Sequence, residues 1–325
     1  MPPIRSTTAK AAAALVLAAT AAAPAFAADV QSRLQENWRS EIAQTPAPEA
    51  GCFQAQYPSR VWHHVACMKA PNRPFITREQ LLAAASRVVG NGNDYAAIAH
   101  GTITSATGSF PSTIGLKTES DGGANIYSLQ LNSNFMGSDA ACTGSSNPSS
   151  CLGWEQFVYS SSSNASFIQY WLINYGNTCP TTPYNDWNQY SGSCYRNSNA
   201  VGVPQEPITL LNTIKIHGTA NSTTDTFVTT VGTTAYSTGG NDNVVFLAAG
   251  WAANEFNVVG DGGGSSATFN LGTNLKVRLA QHDGTTLAPT CQGNSGTTGE
   301  TNNLTLGACT TGGGAAPFIS FHEKR

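Results

Sequence analysis

From about residue 91 onward this sequence predicts an all-β chain, a two-sheet antiparallel β-sandwich preceded by a small helical, disulfide-bonded N-terminal segment. Three observations carry that expectation. Short segments alternating apolar and polar residues recur between Gly, Ser and Asn turn clusters. Helix-period stretches vanish after Val89, and eight cysteines fall into sequence-local pairs, each closing a short polar loop. One-sided sheets must bury their apolar faces against each other, and a run of strands without helices between them does so as a sandwich.

In chain order, Arg5 and Lys10 precede an apolar run over 11–23 and then Ala25-Phe26-Ala27. That is the three-part build of a cleavable secretory signal spanning 1–27. The run is too short for a membrane span, and no later stretch reaches about 18 apolar residues. The expectation is therefore a secreted, extracellular or periplasmic protein with no membrane partner. Residues 28–90 differ from the rest in texture and in sign. Lys and Arg outnumber Asp and Glu seven to five over 28–87, whereas from 88 onward seven face fourteen. Polar helices are expected at 29–45 and 77–89, the second opened by Thr77 with Gln80 completing a capping box. A basic segment beside an acidic domain predicts a removable inhibitory propeptide over 28–90, covering a 91–325 domain. The long acidic part has no basic stripe to neutralise phosphates, so no nucleic acid is expected.

Strands are expected at 96–106, 124–134, 153–160, 165–174, 209–218, 224–230, 243–249, 254–260, 264–271, 273–281 and 316–322. The 165–174 segment is apolar on both faces apart from Gln169, which predicts a central strand covered on both sides. In 254–260, Phe256 and Val258 share one face while Glu255, Asn257 and Val259 share the other. The cysteines are expected to pair 52–67, 142–151, 179–194 and 291–309, the default for a secreted chain. No C-x-x-C or H-x-x-x-H spacing accompanies them, so neither a metal nor another cofactor is expected.

No G-x-S-x-G elbow is present, four of the six His sit in or beside apolar context, and the cysteines read as bridged. What remains for chemistry is a set of carboxylates and carboxamides: Gln130, Glu155, Gln156, Gln169 and Glu255. The segments Trp154-Glu155-Gln156-Phe157, Gln169-Tyr170-Trp171-Leu172 and Asn254-Glu255-Phe256-Asn257-Val258-Val259 follow one another within residues 91–280. Their order resembles the motif-bearing strands of the eqolisin family of glutamic peptidases. Gln169 stands where that family has a carboxylate between aromatics, and Val259 falls at its second Glu.

The resemblance implies a concanavalin-like jelly roll made as a zymogen, with a protein or peptide as substrate, no cofactor and a monomeric state. It implies Glu255 as the general base and Gln156 as the oxyanion donor. Trp154, Gln169, Trp171 and Asn257 then belong to the substrate surface. The other reading of the same strands is a secreted carbohydrate-binding module or glycoside hydrolase, with the aromatic-rich 154–195 region as a sugar platform. A glycosidase needs two facing carboxyls, about 5 Å or about 6.5–9.5 Å apart, and Glu155 and Glu255 are the obvious pair.

Overall fold

The computed structural model describes residues 22–45, 47–76, 93–137, 140–293 and 299–325. The start of the signal, 1–21, and the expected helix at 77–89 lie outside the described residues. One helix, α1 (Ala22–Ala43), precedes the strands. The principal strands are β1 (Cys52–Gln56), β2 (Tyr95–Ile98), β3 (Ser105–Ile114), β4 (Ser128–Ser133), β5 (Leu152–Ser160), β6 (Ala165–Ile173) and β7 (Ser193–Asn197). They continue with β8 (Ile214–Ala220), β9 (Thr224–Val231), β10 (Thr234–Asn241), β11 (Ala253–Val259), β12 (Asn274–His282) and β13 (Phe318–Lys324).

These form two large antiparallel sheets packed as a sandwich. The back sheet runs β1-β10-β9-β8-β3-β12-β13 and the front sheet β7-β6-β5-β4-β11-β2, with short strands added at the edges. Alternation sorts the side chains. In β12, Leu275, Val277 and Leu279 are buried while Lys276 is exposed, the pattern of a strand with one face on the core. β6 is buried along its whole length, as its two apolar faces predict. Phe157, Tyr159, Ile168, Leu129 and Phe256 of the front sheet meet Phe227, Ile216, Phe110 and Val277 of the back sheet in one continuous core.

Two glycines set the closeness of the sheets. A Cβ on Gly108 of β3 would fall 2.2 Å from the Phe256 ring, and one on Gly218 of β8 would fall 2.6 Å from Phe157. The missing side chains are what let both rings lie flat on the opposing backbone.

The expected helix at 29–45 forms within α1. It lies on the outer face of the back sheet, where Trp38 and Ile42 pack on Ala55 of β1 and Ala235 of β10. Glu36 pairs with Lys215 of β8, and Arg39 Nη1 donates to Gly232 O at 2.8 Å. All four disulfides join the expected partners, 52–67, 142–151, 179–194 and 291–309. Among the described residues no helix is long and apolar enough to cross a membrane.

Three expected strands differ. The apolar run at 243–249 is a 3-10 turn over Asp242–Val244 followed by a helical turn over Leu247–Gly250, joined through Phe246 at φ 59°. The strand of that region is instead β10, a polar stretch buried because α1 and β1 cover it. The expected 96–106 strand divides into β2 and the start of β3, and the front of 209–218 is a 3-10 turn over Ile208–Thr213.

Replacing Gly108 by Val should lower stability by at least about 1–3 kcal/mol, the ordinary cost of overpacking. An unchanged denaturant midpoint in this variant would show that the sheets can move apart at Phe256 without penalty.

Candidate functional site

The outer face of the front sheet carries an in-register row of polar side chains. Asn197 of β7 lies opposite Gln169 of β6, Gln169 opposite Gln156 of β5, Gln156 opposite Asn132 of β4, and Asn132 opposite Glu255 of β11. Residues directly opposite on antiparallel strands point to the same face, so five neighbouring strands present one ladder. Strand parity explains why the ladder is polar. Phe157, Ile168, Leu131 and Phe256, each adjacent in sequence to a ladder residue, turn the other way into the core.

Buried carboxamides need partners, and the ladder finds them in an irregular strap over residues 71–76, bent at 72–73 and 75–76, that belongs to neither sheet. Asn197 Nδ2 donates to Pro71 O at 3.0 Å, and Gln169 Nε2 to Arg73 O at 3.0 Å. Gln169 Oε1 accepts from the Phe75 N–H at 2.9 Å, and Gln156 Nε2 donates to Phe75 O at 3.1 Å. Both sides of one residue's backbone are thus held by two glutamines.

Trp171 fixes how those glutamines are turned. Its indole N–H donates to Gln156 Oε1 and to Gln169 Oε1, each at 3.0 Å. An indole can only donate, so both amide oxygens must face it, which leaves the Gln156 NH₂ for the strap carbonyl. Trp154, Trp171 and Tyr195 enclose Ile76. Phe75 fills a pocket with Val158, Ala165 and Phe167.

At the far end of the row Glu255 is 2% exposed and accepts a hydrogen bond from Asn132 Nδ2. Burial raises its pKa well above the usual carboxylate range, and the neighbouring Asp94 raises it further by repulsion and by a shared hydrogen bond. Two carboxyls so placed hold a proton between them. Glu255 and Gln156 are two strands apart, a Cα separation of about 9.5 Å, and the buried Asn132 side chain stands between them. Asn132 Oδ1 is buried without a hydrogen-bond partner among the described residues, between the two.

Of the residues singled out from the sequence, Trp154, Gln156, Gln169, Trp171 and Glu255 share this face. Asn257 is engaged elsewhere, its Nδ2 donating to Glu323 Oε1 of β13 at 2.8 Å. Glu155 points the opposite way, into the space between the sheets, beside Asp225 and Asp242. It therefore does not face Glu255. Sequence reasoning missed Asn132, Asn197, Asp94 and Glu300 as members of the site. Glu300 is 1% exposed, accepts from Gln130 Nε2 at 3.2 Å, and is pushed up by burial to about 7. Alternation in Ser128-Leu129-Gln130-Leu131-Asn132 was a usable signal for Asn132, whereas nothing in the local sequence marks Glu300.

No protein-family model matches this chain, and no curated protein sequence matches it. Among the described residues no group of three or more His, Cys, Asp or Glu is placed to hold a metal ion.

The buried carboxyls predict how stability depends on pH. Glu119 is raised by burial to about 8, Glu300 to about 7, and Glu155, Asp225, Glu255 and Glu323 well above their ordinary values. Between the ordinary carboxyl values near 4 and these raised ones, the folded chain binds more protons than the unfolded chain, so stability is lost as pH rises. His217, lowered by burial to about 4, opposes this, but only below its ordinary value of 6.5. The thermal midpoint should therefore fall from pH 6.5 to 8, where only the carboxyls act. A midpoint that rises over that interval would mean these groups are ionised in the folded protein.

Proposed function

We propose that this protein is a secreted hydrolase that cleaves peptide bonds in acid solution, as its resemblance to the glutamic peptidases implies. Glu255 transfers the proton and Gln156 holds the carbonyl. The observation that carries this reading is the pair of glutamines gripping the N–H and C=O of Phe75, because a face that binds backbone groups through side chains accepts a peptide backbone. The chemistry follows from the row. Glu255, in a pair with Asp94 that holds one proton and one negative charge, takes a proton from a water, and the water oxygen adds to the scissile carbonyl carbon. Gln156 Nε2 donates to the oxyanion that forms. The C–N bond then breaks, and Glu255 returns the proton to the departing amine, leaving a carboxylic acid and an amine.

Residues 28–90 serve as the propeptide in this reading, since their 71–76 strap lies across the face that substrate would use. Secretion is supported by the basic and apolar start of the chain together with four disulfides. A glycosidase would need facing carboxyls at the cleft, and Glu155 lies on the other side of the sheet from Glu255.

After acid incubation, hydrolysis of a denatured protein should be measurable between pH 3 and 7 and should decline on the acid side as the Glu255–Asp94 pair takes up a second proton. Glu255→Gln should abolish turnover by orders of magnitude, and Gln156→Ala should lower kcat by about 10²–10³-fold. Full activity in either variant rejects the assignment.

A further inference from the structure

We infer that the front-sheet groove selects peptides carrying a basic residue two positions before an aromatic one, with an aliphatic residue next, and that Arg73-Pro74-Phe75-Ile76 is its ligand in cis. The inference rests on the reading of this face as a peptide cleft, though not on any turnover there.

Backbone recognition and side-chain recognition are separate here. Carbonyls at 71, 73 and 75, every second residue, are taken in turn by Asn197, Gln169 and Gln156. These bonds go to the backbone and carry no side-chain selection. Selection comes from three pockets. The Arg73 guanidinium pairs with Asp261 at 3.1 Å, a carboxylate whose side chain is 1% exposed, and it also donates to Ser162 Oγ at 2.9 Å. Asp121 stands behind Asp261, accepting from its backbone N–H at 2.9 Å. A buried carboxylate of that kind needs a cationic partner.

Phe75 is 0% exposed, with its ring 5.6 Å from Phe167 and the Arg73 guanidinium 5.2 Å above it. Ile76 is likewise 0% exposed, against the indoles of Trp154 and Trp171. The strap takes no part in either sheet's ladder. Side chains and the Gly263 N–H, which donates to Pro74 O at 3.1 Å, hold it. A peptide arriving in trans can replace every one of these contacts without breaking a sheet.

The test uses the full chain and a fluorescein-labelled peptide, Ala-Pro-Asn-Arg-Pro-Phe-Ile, with binding read by fluorescence anisotropy. A tethered strap competes at an effective concentration of about millimolar or more, so the wild-type protein should bind added peptide poorly. Phe75→Ala should open the groove and bind the peptide at least about tenfold more tightly than wild type, as expected for a displaced aromatic anchor. A peptide with Ala for Phe should lose about tenfold or more on the same variant, and one with Ala for Arg should lose several-fold, with a shallower salt dependence than the parent peptide.

If Phe75→Ala does not fold by circular dichroism, Arg73→Ala decides, because its side chain is 37% exposed and its loss leaves the Phe75 pocket intact. The same ranking of peptides is expected there with smaller differences. Folded variants that bind no peptide, or bind all three peptides equally, overturn the inference. Selective binding without hydrolysis by any variant would leave the groove and retire the catalytic reading. Hydrolysis of proteins indifferent to Arg and Phe would do the reverse.

Discussion

The constraint on which the front of this molecule depends is the desolvation of a row of amides. Asn197, Gln169, Gln156 and Asn132 sit side by side on adjacent strands, and Gln169 and Gln156 are fully buried. An amide removed from water without partners costs several kcal/mol. The sheet cannot supply those partners, because its own N–H and C=O groups are spent on the ladder. A second backbone, with donors and acceptors to spare, must lie over the row. The strap meets that need, and Trp171 decides which end of each glutamine it meets. Specificity for a backbone thus follows from ordinary hydrogen-bond accounting.

Behind the row the sheets approach closely where Phe256 and Phe157 lie on Gly108 and Gly218. Those two rings neighbour Glu255 and Gln156 in sequence. The side chains proposed for chemistry therefore sit on strands whose opposite faces are packed tightly into the core. Rigid support of this kind is what a site needs if its groups are to hold their geometry without loops.

Much of this was legible beforehand. Alternation in 254–260 placed Glu255 opposite in facing to Phe256 and Val258, and the same argument put Trp154 and Gln156 on one face. Local cysteine spacing named all four disulfides. What parity cannot supply is register, which is why the alignment of Glu255, Asn132 and Gln156 across three strands came only with the structure. The strap was illegible for a related reason, since its glutamine and asparagine partners come from strands 81 to 126 residues away in sequence. The error at 243–249 has another origin. A short apolar run fits a buried strand or a buried helical turn equally well, and Val244, Val245 and Leu247 are buried as the latter. β10, by contrast, is too polar to announce itself because it borrows its cover from α1 and β1.

The disulfides divide along a line that matters for how the chain comes apart. Cys52–Cys67 closes within the N-terminal segment, and the other three bridges close beyond residue 140. No covalent crosslink therefore ties α1, β1 and the strap to the sandwich. A single backbone break between residues 76 and 93 would turn an intramolecular arrangement into a complex of two chains, with a dissociation constant and a dependence on dilution. β1 is bound to that complex through the four register positions it shares with β10. Its departure would leave β10 as an open sheet edge, a row of unpaired N–H and C=O groups ready to accept a strand from another molecule.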